Sequence, residues 1–200
     1  EDATLDSYGS YVFLRDVQTG DVWSAGYQPS RIEPDAYEVT FYEDRAEFIR
    51  RDRSLTTRLE VVESPEDDAE IRRVSITNTG IRTREIQVTS YAEICLASQA
   101  ADVAHPAFSN LFVQTEFVAE VGALLATRRM PSDKENPVWV AHVVAVEGET
   151  AGELEYEGVE ACRGCSAAIR GAGLRCVGNS DWSRSDLLAR LQRHRRCRCG

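Results

Sequence analysis

No apolar run among the 200 residues approaches the roughly 18 that a membrane-spanning helix needs. Positive charge is in deficit: 23 Lys and Arg face 33 Asp and Glu, a net of −10, which argues against generic binding to nucleic acid or anionic membranes. No glycine pattern of a nucleotide-binding turn follows a strand-like run, and no phosphate-binding loop, nucleophile elbow or zinc-protease helix is present. Cys95 stands alone in residues 1–157, so that part has no disulfide framework. Glu1-Asp2-Ala3-Thr4 lacks the basic start of a signal peptide, and a chain opening on Glu is expected to belong to a longer polypeptide. What remains is a composition of 42% hydrophobic and 28% charged residues, that of a soluble acidic domain with a core, with or without an appendage.

Period-2 alternation recurs along residues 10–147. Leu55, Thr57, Leu59 and Val61 share one parity against Thr56, Arg58 and Glu60. Ile86, Val88, Ser90, Ala92 and Ile94 repeat it, and Tyr37, Val39 and Phe41 make a shorter version. Turn signals lie between them at Gln18–Asp21, Pro65–Asp68, Asn78–Gly80 and Pro131–Asp133. Strands and turns without intervening amphipathic helices predict an all-β, antiparallel sandwich. Val138–Val146 is apolar at both parities, which predicts a strand buried on both faces.

Candidate chemistry is sparse. His105, His142 and His194 stand apart from any triad or metal set, and each reads as a hydrogen-bonded structural imidazole. Glu43-Asp44 and Glu66-Asp67-Asp68 read as solvated loops. Trp23, Tyr27 and Gln28, beside Gly26 and Pro29, form the one candidate contact for a sugar. Aromatic rings pack on its C–H faces, and a planar amide meets its hydroxyls. The competing reading is an aromatic corner that seals one end of a sandwich.

Longer stretches add a resemblance. Gly9-Ser10-Tyr11-Val12-Phe13-Leu14-Arg15-Asp16 and Gly20-Asp21-Val22-Trp23-Ser24-Ala25-Gly26-Tyr27-Gln28-Pro29 resemble the opening of the β-supersandwich of bacterial cyclic β-1,2-glucan synthases. That region is shared more loosely with the cellobiose and chitobiose phosphorylases of glycoside hydrolase family 94. The likeness continues in order through Tyr37-Glu38-Val39-Thr40-Phe41, Glu70-Ile71-Arg72-Arg73-Val74, Thr89-Ser90-Tyr91-Ala92-Glu93, His105-Pro106-Ala107-Phe108-Ser109 and Trp139-Val140-Ala141-His142. It spans residues 1–157.

The resemblance implies an incomplete supersandwich of the galactose mutarotase-like kind. It also implies a parent that is a glucosyltransferase of the bacterial inner membrane, using UDP-glucose. A phosphorylase-like region of that parent, facing the cytoplasm, would trim β-1,2-glucan. In such enzymes the catalytic acid and phosphate-binding residues lie on an α/α barrel, whose motifs are not found here, so no catalytic residue, metal ligand or cofactor is carried over. The implied partners are that barrel, a β-glucan or oligosaccharide held weakly near Trp23, Tyr27 and Gln28, and a second copy in a homodimer; nucleic acid is not among them. The alternative is a stand-alone module that binds carbohydrate or docks another protein.

Residues 158–200 are different in kind. They hold nine Arg and three acids, a charge of +6, leaving −16 on residues 1–157. Five cysteines crowd them: Cys162, Cys165, Cys176, Cys197 and Cys199. One C-x-x-C followed by C-x-C departs from the paired spacing of a zinc finger, and Arg193-His194-Arg195-Arg196 suggests a nucleic-acid arm on charge alone. The third reading is an out-of-frame or disordered tail. Arg, Ala, Gly, Cys and Ser dominate it, as in GC-rich coding sequence read in the wrong frame, and the resemblance stops at Glu157.

Overall fold

The computed structural model describes residues 9–94, 96–104, 111–129, 138–147, 150–151, 155–158, 166–176 and 186–187. The elements in chain order begin with β1 (Ser10–Asp16), β2 (Val22–Ser24), β3 (Ala36–Phe41), β4 (Ala46–Asp52), β5 (Leu55–Glu63), β6 (Glu70–Asn78) and β7 (Arg84–Glu93). The six-residue helix α1 (Gln99–Ala104) follows, then β8 (Val113–Val118), β9 (Ala123–Arg128) and β10 (Trp139–Val143). The last strands are β11 (Thr150–Ala151), β12 (Glu155–Gly158), β13 (Ser166–Cys176) and β14 (Asp186–Leu187). All pairings are antiparallel, as the alternation predicts.

The strands form three sheets. The first has the order β11-β13-β7-β1-β2 with β12 also on β13; the second runs β14-β6-β5-β4-β3; the third runs β10-β9-β8. Residues directly opposite one another across a ladder point to the same face, so register decides what becomes core. Leu14 lies between Trp23 and Val88, and Leu59 faces Val74. Together with Val12, Leu55, Ile76 and Ile86 they form one buried cluster shared by the first two sheets. A second cluster, Ala92, Ile94, Val113, Leu124 and Ala126, joins the first sheet to the third, and Val144 packs against both clusters.

Short polar contacts set the turns. Asp16 Oδ1 accepts from the N–H groups of Gln18 and Thr19 at 2.8 and 3.1 Å, and Gly20 supplies the positive φ of 79° that closes this turn. The Asp16 carboxyl is fully buried, which alone would raise its pKa. Its hydrogen bonds with Arg84, Thr19 and Gln18 outweigh that and hold it below 3.8. Ser64 Oγ caps the β5–β6 turn from the N–H of Asp67, and Asn78 Oδ1 accepts from the N–H of Gly80. Three of the four sequence turn signals are thus turns; Pro131–Asp133 lies outside the described residues.

Two readings of strands need correction or extension. Val138–Val146 is not a strand buried on both faces: β10 stops at Val143 and, among the described strands, lies at an edge with only β9 beside it, and Val138 and Trp139 are exposed. The apolar residues that reach the clusters are Val140 within it and Val144 and Val146 beyond its end. The run is apolar at both parities because it contains an edge strand followed by a core-filling segment. Among the described strands β3 is also at an edge. Tyr37, Val39 and Phe41 share the inner face of the second sheet through Arg50, Phe48 and Ala46 of β4, yet they are 38%, 38% and 77% exposed, because the first sheet ends at the three-residue β2.

Within residues 158–200, β13 lies along β7 with its register shifted between Gly171 and Leu174, and β14 pairs with Val74 and Ser75 of β6. The tail's cysteines other than Cys176, and His194, lie outside the described residues. The β13 sequence, Ser-Ala-Ala-Ile-Arg-Gly-Ala-Gly-Leu-Arg-Cys, carries few large apolar side chains. Its ladder bonds would be replaced by bonds to water if it were removed. Truncation after Glu157 is therefore expected to leave the melting temperature within about 4 °C of the full chain's, the shift of roughly 1 kcal/mol at this size. A larger drop in a calorimetric scan would make β13 an integral strand and rule out a dispensable tail.

Candidate functional site

Residues 25–31, between β2 and β3, contain the predicted sugar contact and are held from several sides. The N–H of Ser24 donates to Ser30 Oγ at 3.1 Å, and the two hydroxyls lie 2.7 Å apart. The N–H of Arg31 donates to the Tyr27 carbonyl at 2.9 Å, and the Gln28–Pro29 peptide is cis. The N–H of Tyr27 donates to Tyr37 Oη at 3.2 Å, and the two rings lie 6.3 Å apart at 49°. Burial raises the pKa of the Tyr37 phenol, so this hydroxyl stays protonated across the physiological range.

Beneath the loop lies Arg50, with 0% of its side chain exposed. Its Nε and Nη2 donate to the two oxygens of Asp52 at 2.7 and 2.8 Å, and its Nη1 reaches the Gly26 carbonyl at 3.2 Å. A bidentate carboxylate and a carbonyl are what a guanidinium needs to be tolerated away from water. Arg50 thus ties the backbone of the loop to β4.

The three predicted contact residues separate here. Trp23 is 6% exposed and belongs to the core cluster, with its Nε1 buried and without a hydrogen-bond partner. Tyr27 is exposed, and Gln28, half-buried beside it, accepts from Arg31 Nε at 3.1 Å. The ring seals the sandwich while the tyrosine and the amide stay at the surface. Sequence reading missed Tyr37 and Arg50. Arg50 carried a signal: it takes a place in the inward parity Ala46, Phe48, Arg50 of β4, where a charge has to be paired.

A cavity of about 100 Å³ lies between the first two sheets, lined by Ser10, Glu70, Arg72, Ser90 and His142 among others. Arg72 donates to both carboxylate oxygens of Glu70 and to the Ser10 carbonyl, so its charge is neutralised. Burial, and then the nearby Arg72, push the His142 pKa below 6.5. His142 Nε2 is buried without a hydrogen-bond partner, so the expected hydrogen-bonded imidazole is not found at that nitrogen. A neutral imidazole and a salt-bridged arginine do not make a phosphate cradle. Among the described residues no group of three His, Cys, Asp or Glu could hold a metal ion. No helix among them is long and apolar enough to cross a membrane. His105 lies outside the described residues.

Fold and surface together define an antiparallel β-sandwich whose described residues present a pinned aromatic loop but no assembled acid, base or nucleophile. Residues 1–163 match the glycosyl hydrolase 94 supersandwich domain, and the chain belongs to that family. It is 41% identical over 143 residues to the cyclic beta-(1,2)-glucan synthase NdvB of Rhizobium meliloti (strain 1021), covering 72% of this chain and 5% of that protein. A 3-O-beta-D-glucopyranosyl-beta-D-glucuronide phosphorylase of Paenibacillus borealis is 32% identical over 85 residues, 42% of this chain and 11% of the relative. An N,N'-diacetylchitobiose phosphorylase of Vibrio furnissii is 31% identical over 117 residues, 57% of this chain and 14% of the relative. The chain therefore spans only a small part of the length of these carbohydrate-active relatives.

Proposed function

We propose that this chain is the scaffold sandwich of an enzyme acting on β-1,2-glucan, that it contacts glucan weakly through Tyr27 and Gln28, and that it has no catalytic centre of its own. The observation that carries this reading is the family match across residues 1–163, joined to the 41% identity with a cyclic beta-(1,2)-glucan synthase. Inverting phosphorolysis needs a general acid at the glycosidic oxygen and a cationic pocket for phosphate. Arg50 beneath the loop and Arg72 beside the cavity are each neutralised by a carboxylate, and the loop's own Arg31 donates to the Gln28 side chain. The acid and the phosphate site belong to an α/α barrel against which this sandwich would pack. In the parent the domain would face the cytoplasm from an inner-membrane enzyme. The part of the Arg- and Cys-rich segment that lies beyond the family match, residues 164–200, is in this reading an out-of-frame appendage.

Two measurements on the purified chain test this. Release of glucose 1-phosphate from β-1,2-glucan should stay at the buffer blank, and turnover clearly above it would mean a catalytic site had been missed. Calorimetry with β-1,2-gluco-oligosaccharides should give a dissociation constant near the millimolar range, where about 4 kcal/mol of binding free energy lies. Tyr27→Ala should weaken binding about fivefold or more, the effect of losing an aromatic contact worth roughly 1 kcal/mol. Binding unchanged by Tyr27→Ala would remove the loop from the reading while leaving the scaffold role intact.

A further inference from the structure

β10 carries one titratable side chain toward the interior of the sandwich. In its pairing with β9, Val140 stands opposite Ala126 and His142 opposite Leu124. Ala126 and Leu124 belong to the second buried cluster and Val140 packs against it, so this parity is the inward one. Two residues further on, Val144 packs against both clusters. His142 therefore sits between two apolar anchors, where the three sheets meet.

The cavity it meets there holds a fixed cation. Ser10 and Tyr11 of β1, Ser90 and Tyr91 of β7, and Glu70 and Arg72 of β6 line it together with His142. Glu70 and Arg72 are the charged residues of that lining, and β9 contributes Leu124 and Ala126 across the ladder, neither of which titrates. Arg72 donates to both carboxylate oxygens of Glu70 and to the Ser10 carbonyl, so the one negative charge is already engaged. A proton on His142 would set a second cation against this pair. It would do so on an imidazole whose Nε2 is buried without an acceptor among the described residues.

We propose that His142 is an acid-sensitive latch: residues 140–146 seat on the sandwich over the neutral imidazole, and protonation releases them while the strands of the first two sheets stay paired. Burial first, and then Arg72, hold the His142 pKa below 6.5 in the seated form, and release restores the ordinary value. The seated form thus binds fewer protons than the released one. The latch has its full strength above about pH 6.5, weakens as the pH falls through that value, and weakens no further below the seated-form pKa. Release is local because Val140, Val144 and Val146 pack against the clusters from outside their fully buried members, and Leu14, Leu59, Val74 and Ile86 keep one another's contacts. The inference does not rest on a glucan contact at residues 25–31.

Amide hydrogen exchange of the full chain from about pH 7.5 to about pH 5.5, corrected for the intrinsic pH dependence of exchange, tests it. Opening of residues 140–146 should rise about fivefold over this range, while β5 and β6 keep their protection. His142→Gln keeps a neutral polar side chain at every pH and should give a flat profile with near wild-type protection at the upper end. Arg72→Gln frees Glu70 to pair with the imidazolium, and should abolish the acid-induced opening. Wild-type protection of residues 140–146 that does not change with pH would overturn the inference. So would an acid-induced loss spread equally over β5 and β6, or one that persists unchanged in either variant.

Discussion

Trp23→Ala is expected to lower folding stability by about 3 kcal/mol, the lower end of the range for truncating a large buried aromatic. Trp23 stands opposite Leu14 across the β1–β2 ladder and belongs to the core cluster, so its loss leaves a gap inside the sandwich. The low end is expected because the truncation also removes a buried N–H without an acceptor, which contributes unfavourably in the native state. For the same reason Trp23→Phe should lie within about 1.5 kcal/mol of wild type. Urea unfolding followed by far-ultraviolet circular dichroism checks both, and Tyr27→Ala should show almost no change in the same experiment. A Trp23→Ala protein as stable as wild type, but deficient in glucan binding, would place the indole at the surface and contradict the packing.

Asp52→Ala should be comparably damaging, at about 3–5 kcal/mol, for an electrostatic rather than a volumetric reason. It leaves the guanidinium of Arg50, fully buried, with the Gly26 carbonyl as its remaining bonded partner. Removing both ends with Arg50→Met and Asp52→Ala should recover part of the loss, since the uncompensated charge goes with the arginine. Thermal unfolding of the two single variants and the double variant gives the coupling between them. The loop adds a second readout. Arg50→Met frees the Gly26 carbonyl, so amide exchange across residues 25–31 should accelerate even where the rest of the sandwich is protected. Equal losses in the double variant and in Asp52→Ala alone would mean that the Arg50 charge is solvated in some other way.

Much of the architecture could be read from one-dimensional pattern. Alternation placed Leu55, Thr57, Leu59, Ile86, Val88 and Ala92 on the inward parity, and all of them are buried. Gly20, the Pro65–Asp68 run and Asn78-Thr79-Gly80 marked turns because their backbone and side-chain chemistry is local, and a local signal survives without a fold. The aromatic loop was recognised as a feature, but its division into a buried Trp23 and an exposed Tyr27 was not. Both are large amphipathic rings, and only the neighbouring strand decides which of them is covered.

Pattern along the chain was enough for the class of fold, the positions of three turns, the sets of side chains that share a face, and the contrast between residues 1–157 and the Arg- and Cys-rich remainder. Each depends on period, composition or a tight turn, all fixed by covalent neighbours. Where the sheets end is set by tertiary contacts. They place β10 and β3 at edges among the described strands, leave Phe41 exposed on an inward parity, bring Arg50 under the Gly26 carbonyl and put His142 beside the Arg72–Glu70 pair. Period-2 patterning states which face a residue shares, but not whether another sheet lies across that face. That second fact depends on contacts between residues far apart in the chain, which no local spacing encodes.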